Sequence, residues 1–414
     1  MPSIKLANGE AIKLYGPMSV VVKSGCIDVH GKLTCAGDKF VVHRARNYVA
    51  IASSDCELDV NMVNDSQIQA LDPSDPYLRK REIALELAKR GCKRIVVLGC
   101  VDCGKTSFTT LMFNTLLASG LKPAVVDGDV GQADIGPPGF ISMGYSENPV
   151  YWINELKPLL MKFIGDIKPQ GYVHTVVNVI AKIVELVERA GFNSVVVDTD
   201  GWVRDEYGIL HKYALIEAIK PDAIVVFGSE LKGYFSRFRK LGASIYEIEA
   251  PIYRKVRSRE ERRMLRSLRY REFLENAQVL RISLEDVVVD GCSLLCGQEV
   301  DPSTISNFVE GKVLYASRLP GVLNVYGLIR NYNLEELKKL GYERVRVYNQ
   351  GFEKNLYCAV GSLNGTEYPC LLEKIDFETR ELVVRTKYSG KVELIRVSRI
   401  KLTPDYSEEY LEVW

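Results

Sequence analysis

The sequence predicts an α/β protein: a central parallel sheet covered by helices, with a small all-β unit before it and a β-rich unit after it. Two observations carry this. Between about 77 and 250, continuously apolar runs (RIVVL, PAVVD, SVVVD, AIVVF) alternate with segments of helical period, as strands buried on both faces of a parallel sheet require. On either side the period drops to short Val- and Ile-rich runs separated by Gly, Asn, Asp and Ser, the signature of strands and tight turns.

In chain order, MSVVV, CIDVH, KFVVH, YVAIA and ELDVNM read as the strands of an N-terminal β-domain, residues 1–72. The DPSDP run from Asp72 to Pro76 breaks that pattern as a linker or turn. A central domain, residues 73–275, opens with the helix LRKREIALELAKRG ending at Gly91. The apolar run RIVVL follows, then a helix with Phe108, Leu111, Met112 and Leu116 on one side. The strand PAVVD, the helix Val176 to Val187, the strand SVVVD, a further helix and AIVVF complete the alternation. Residues 276–414 return to short strands in YCAVG, CLLEKI, ELVVRT and VELIRV, a C-terminal mixed or β-rich domain.

The chain has 414 residues, 47% hydrophobic and 26% charged, with a net charge of +1. Three domains suit roughly 100–200 residues per domain. The near-zero charge excludes a polycation, so any nucleic-acid contact must be a local patch. No run approaches the apolar length of a membrane span, and the first residues lack the apolar core of a signal peptide. The expectation is a soluble, cytoplasmic protein with no membrane partner. Ten scattered cysteines do not form the dense framework of a small secreted domain, nor a spacing that holds zinc.

Gly99-Cys100-Val101-Asp102-Cys103-Gly104-Lys105-Thr106 fits G-x-x-x-x-G-K-[ST], between a strand and a helix. Such a loop wraps phosphates with backbone N–H groups at a helix N-terminus, aided by the helix dipole. The loop and the following Ser107 are therefore the expected ATP contacts, with Lys105 on the β- and γ-oxygens and the Thr106 hydroxyl on Mg²⁺. Cys100 and Cys103 occupy positions whose side chains do not hold phosphate, and they read as tolerated small residues.

Phosphoryl transfer needs carboxylates near the γ-phosphate. Two strands end in them: PAVVD continues as Asp127-Gly-Asp129-Val-Gly-Gln132, and SVVVD as Asp198-Thr199-Asp200-Gly201-Trp202. In open α/β sheets the site lies at the carboxyl ends of the strands, where these acids fall. A third feature is the segment Arg254 to Arg271, with nine basic residues against two acids. Arg259, Arg262, Arg263 and Arg266 recur there at helical spacing, a positive face placed where a lid over the phosphates belongs.

The D-x-D-x-G-Q turn, the following Pro137-Pro-Gly and the Thr199-Asp-Gly-Trp202 segment resemble the polynucleotide 5′-hydroxyl-kinase family, which includes the RNA kinase subunit of the pre-mRNA cleavage factor and the nucleolar pre-rRNA-processing kinase. The resemblance covers nearly the whole chain and implies the same three-part organisation. It implies transfer of the ATP γ-phosphate to the 5′-hydroxyl of RNA, and of DNA in some cases, within RNA processing or repair alongside unnamed protein partners. By position it makes Asp129 the general base, Asp127 an acid near Mg²⁺, and Gln132 a polar group near the reacting atoms. Thr199, Gly201 and Trp202 match its clasp on the terminal nucleotide, and stacking on Trp202 suits any base. The R-S-x-x-x-R lid pattern falls on Arg257 and Arg262, with Arg263 adjacent. Two other readings compete with catalysis by this family. One is an ATP-binding scaffold in an RNA-processing complex, which the intact Lys105, Thr106, Asp129 and Trp202 oppose. The other is a GTPase or transport ATPase, opposed because AIVVF continues as Gly228-Ser-Glu-Leu without the base-reading N-K-x-D.

The four histidines read as structural, and the acids between Asp405 and Glu412 as a solvated tail. The basic residues of the C-terminal strands suit either RNA phosphate or an ordinary exposed face.

Overall fold

The structure is a computed structural model that describes residues 3–44, 46–250 and 257–411. It divides into two compact units: residues 1–136, 141–159 and 173–259, and residues 137–140, 160–172 and 260–414. The unit boundary thus falls within the expected lid, whose residues 254–256 lie outside the described residues.

In the first unit, nine strands between Ser3 and Ala70 form two antiparallel sheets of four and five strands. Met18–Ser24 and Cys56–Met62 alternate buried and half-buried positions before two exposed ones, as a sheet with one better-covered face does. The strands Ser3–Leu6, Ala11–Tyr15, Lys32–Cys35 and Gln67–Ala70 were too short or too polar to stand out in the sequence. Cys26 and Cys35 face each other across the hairpin and form a disulfide, with Cα atoms 4.1 Å apart. The apolar faces share one core with Phe113, Val125, Ile135 and Trp152, so these strands are cemented to the α/β layer.

That layer begins with α1 (Pro76–Lys89). The expected linker supplies its start: Asp75 caps the Tyr77 N–H, and Pro76 takes the first helical position, where a missing N–H costs nothing. Next come β1 (Arg94–Gly99), α2 (Lys105–Ala118), β2 (Pro123–Gly128), β3 (Phe140–Tyr145), α3 (Val173–Arg189), β4 (Ser194–Thr199), α4 (Glu206–Ile219), β5 (Ala223–Phe227) and β6 (Ser244–Ile248). β2, β4, β1, β5 and β6 pair in that order and all parallel; β3 lies antiparallel on β2. Their uninterrupted Val and Ile residues are buried. In register, Asp127 stands beside Asp198 and Val97 beside Asp198, so three carboxyl ends meet at one edge of the layer.

The second unit contains α5 (Arg259–Leu274) from its second residue on, a seven-stranded sheet and a four-stranded sheet. Tyr270, Phe273 and Leu274 of α5 are buried against Tyr357, Ala359 and Leu371. Two of its strands, Val309–Leu319 and Val322–Tyr332, form a long hairpin followed by the short helix Leu334–Lys339, none of which the sequence pattern showed. The solvated tail expected around Asp405 is partly buried: Glu408 accepts from Arg266 at 2.5 and 2.6 Å and from the Tyr270 hydroxyl at 3.0 Å. The exposed basic face expected on the C-terminal strands is largely paired. Arg380 meets Glu299, Arg385 meets Glu373, Arg396 meets Asp290 and Glu367, and Arg399 meets Asp166.

Candidate active site

Within the first unit a cleft of about 340 Å³ runs from the N-terminal strands to the carboxyl ends of β2 and β4, floored by residues 101–107. The loop leaves β1 at Gly99, whose φ of 153° and approach to Phe227 exclude a side chain: a Cβ there would lie 2.5 Å from the Phe227 Cβ. Gly104, with φ 93°, begins α2 in the left-handed region that glycine occupies without strain. Asp102 also has a positive φ, 58°. The Lys105 ammonium is folded back onto the Cys100 carbonyl at 2.9 Å, inside a loop shaped for an anion. Cys100 and Cys103 face each other within the loop, their Cα atoms 5.5 Å apart. Both cysteines are buried.

Asp127 and Asp129 differ sharply. Asp127 is buried, and both its oxygens accept from the turn's own backbone: Asp129 N–H at 3.2 Å on one, Asp134 N–H at 2.7 Å and Ile135 N–H at 3.0 Å on the other. Burial, then the charge of Asp134, raise its pKa well above the ordinary carboxylate value. Asp129 is half-buried and lines the cleft; its Oδ1 accepts from Gly131 and Gln132 at 3.0 and 2.9 Å. Burial and then Asp200 raise its pKa, with Lys105 opposing. Gln132 lines the cleft and donates to the Gly131 carbonyl at 2.6 Å.

Asp198 was visible in the sequence but given no role, and it holds the place beside the loop strand. It is buried at the end of β4, its Oδ1 has no hydrogen-bond partner among the described residues, and burial raises its pKa to about 7 against the pull of Lys105 and the Thr106 hydroxyl. An apolar strand ending in Asp next to the phosphate-loop strand was the available signal.

The Thr199–Trp202 segment is anchored from beneath. The Thr199 hydroxyl donates to Val97 O at 2.8 Å, tying β4 to β1. Gly201 presses on the loop, where a Cβ would come 2.7 Å from the Val101 nitrogen. Asp200 accepts from the Trp202 N–H at 2.9 Å and from the fully buried Lys212 at 2.6 Å. Although burial pushes its carboxyl up, Lys212 and His211 hold it below the usual range. Trp202 is half-buried, stacks on His211 with ring centroids 5.8 Å apart, and donates Nε1–H to Asp205 at 2.8 Å.

Of the expected lid arginines, Arg257 reaches this cleft: its N–H donates to Asp102 at 3.1 Å, and its Nε lies 4.0 Å from the same carboxylate. Arg262 and Arg263 belong to the second unit, where Arg263 donates to the Glu408 carbonyl at 3.2 Å.

Strand order, phosphate loop and the acid closing the neighbouring strand define a P-loop nucleotide-binding protein of the phosphoryl-transfer kind. Residues 99–276 match the family described as the mRNA cleavage and polyadenylation factor CLP1 P-loop. The chain is 31% identical to the polyribonucleotide 5′-hydroxyl-kinase of Pyrococcus furiosus, covering 84% of this chain and 97% of that one. It is 28% identical to the enzyme of that name from Methanocaldococcus jannaschii, over 76% and 88% of the two chains. The chain belongs to the polyribonucleotide 5′-hydroxyl-kinase family. Its fold is also that of Clp1p solved in complex with Pcf11p, with a TM-score of 0.63 over 97% of both chains at 14% identity.

Proposed function

We propose that the protein is an ATP-dependent polynucleotide kinase of the cytoplasm that moves the γ-phosphate of ATP onto the 5′-hydroxyl of RNA, and also of DNA, in RNA processing or repair. The observation that carries this is Asp129: a half-buried carboxylate of raised pKa in the same cleft as Lys105 and Thr106. A base of raised pKa is suited to taking a hydroxyl proton. In this reading the α2 N-terminus holds the phosphates, and Lys105 exchanges the Cys100 carbonyl for a phosphate oxygen. Asp129 accepts the proton as the 5′-oxygen bonds to the γ-phosphorus and the bond to ADP breaks.

An oxygen donor set suits Mg²⁺, and the unpartnered Asp198 Oδ1 beside Thr106 fits it. Thr106 and Asp198 would hold the ion, with Asp127 occupied in the turn; when bound, Mg²⁺ supplies charge neutralisation on the phosphates. The open face of Trp202 receives the terminal base, and Arg257 shifts from Asp102 to the phosphates.

The test is label transfer from γ-labelled ATP with Mg²⁺ to 5′-hydroxyl RNA and DNA oligonucleotides, with 5′-phosphorylated strands as controls. Transfer to 5′-hydroxyl ends alone, lost in Lys105→Ala and Asp129→Asn, is expected. Wild-type protein that binds ATP yet labels no strand at any temperature overturns the proposal.

A further inference from the structure

Lys80 has no part in the site so far. It sits in the second turn of α1, buried, and lines the same cleft. Its ammonium donates to the Gly104 carbonyl at 3.2 Å and to the Ser107 hydroxyl at 2.7 Å, and lies 5.2 Å above the Phe227 ring. A Cβ on Gly104 would meet that nitrogen at 2.7 Å, so the loop's second glycine makes room for this lysine.

Both hydrogen-bond acceptors are neutral. The nearest carboxylate on its own helix, the capping Asp75, is engaged at 2.7 Å by Lys13. Among the described residues, the other charged or titratable groups lining the cleft around Lys80 include Tyr77 on α1, Lys13 and His30 from the N-terminal strands, and Lys105 and Asp102 from the loop; β5 presents Phe227. Burial and then Lys13 pull the Lys80 ammonium down to about 7, while burial keeps His30 neutral, near 3. A buried cation held by neutral groups at the floor of a phosphate loop is a charge awaiting its counter-ion.

We propose that Lys80 is a second phosphate-cradle lysine, a positioning residue that fixes Gly104 and Ser107 and takes up a proton when the nucleotide polyphosphate binds. This rests on nucleotide binding alone, not on transfer to RNA. The sign follows from the charges. The bound polyphosphate favours the ammonium and raises its pKa, so proton uptake accompanies binding above about pH 7, and affinity falls as the pH climbs past that value.

Calorimetry of ATP binding at pH 8, in buffers of different ionisation heat, reads the uptake directly. The nucleotide phosphates are already ionised there, since their second pKa is about 6. Wild-type protein is expected to take up more protons than Lys80→Met, by most of one; any uptake through Asp198 or Asp129 is common to both proteins. Lys80→Met is further expected to bind ATP roughly tenfold or more weakly at pH 6.5, by loss of a charge-assisted contact, and to melt no lower than wild type without nucleotide. Absence of proton uptake by wild type overturns the proposal, even if the variant fails to fold. So does a Lys80→Met protein with unchanged affinity, or one destabilised without nucleotide, which would make Lys80 a structural pin. Failure of wild type to bind ATP would instead refute the nucleotide site itself.

Discussion

Replacing Lys212 by methionine removes the ammonium that neutralises Asp200 and leaves the rest of the Trp202 anchor in place. Lys212 is fully buried and 2.6 Å from Asp200 Oδ2; His211, 3.4 Å away, is driven toward its neutral form by burial. The variant therefore leaves a buried carboxylate without a counter-charge, at a cost of roughly 3–5 kcal/mol. For a unit of this size that is a fall in melting temperature of about 6–20 °C. The pH dependence has a definite sign. In wild type the Asp200 carboxyl is held below its unfolded value of about 3.9. Its stabilisation is present above that pH and lost only as the pH falls through the folded value, so it is flat from about 5 to 8. In Lys212→Met the largest opposing charge is gone, burial is opposed by His211 and the Trp202 N–H alone, and the folded pKa rises; the deficit is greatest at pH 7 and shrinks on acidification as the carboxyl takes a proton. Adding Asp200→Asn removes the stranded charge, keeps an acceptor for the Trp202 N–H, and should restore most of the loss. Thermal melts of the three proteins at pH 5 and 7 decide it. A single variant that loses under 1 kcal/mol, or a double variant no better than the single, refutes the reasoning.

Four further outcomes follow from the same geometry. Asp198→Asn should raise the Mg²⁺ concentration needed for half-maximal activity, read by titration of the metal at saturating ATP. Asp127→Asn should act on folding instead: an amide offers one acceptor oxygen where the turn needs two, so roughly 1–3 kcal/mol of stability goes with the unpaired N–H groups, measured by denaturant midpoint. Trp202→Ala should raise KM for the oligonucleotide roughly 5- to 150-fold, the equivalent of one lost stack, with KM for ATP unchanged. Because the pKa of Asp129 is raised, the acid limb of kcat/KM should lie above the ordinary aspartate value of about 3.9, and Asp129→Asn should abolish that limb while lowering kcat by roughly 10²- to 10⁴-fold.

The central layer was legible because its strands are buried on both faces, which leaves runs such as SVVVD and AIVVF with no polar interruption. The loop was legible because its glycines are forced by backbone angle and by Phe227. What could not be read depends on partners distant in sequence. The polar strand Gln67–Ala70 exists because Ala11–Tyr15 pairs with it. The burial of Glu408 depends on Arg266, and Lys80 gains meaning only where α1 passes beneath Ser107. Helical spacing showed an arginine face on α5, but spacing does not tell which unit that face serves.

The acids show most clearly how structure redistributes roles that sequence leaves equal. Asp127 and Asp129, two residues apart, have the same standing in a motif. Strand pairing separates them: Asp127 is still within β2, in register with Asp198 on β4, and its side chain falls under the turn that follows. Three backbone amides claim it, so a second load on the same oxygens would unmake the turn that positions Asp129. In the proposed reading the acid for Mg²⁺ therefore comes from a strand whose end carries no such turn on its carboxylate. β4 provides one, because its turn is organised by Asp200 two residues later and leaves Asp198 Oδ1 without a partner among the described residues. The two strand ends therefore use their acids in opposite order. On β2 the first acid builds the turn and the second faces the cleft, while on β4 the first faces the loop and the second builds the turn.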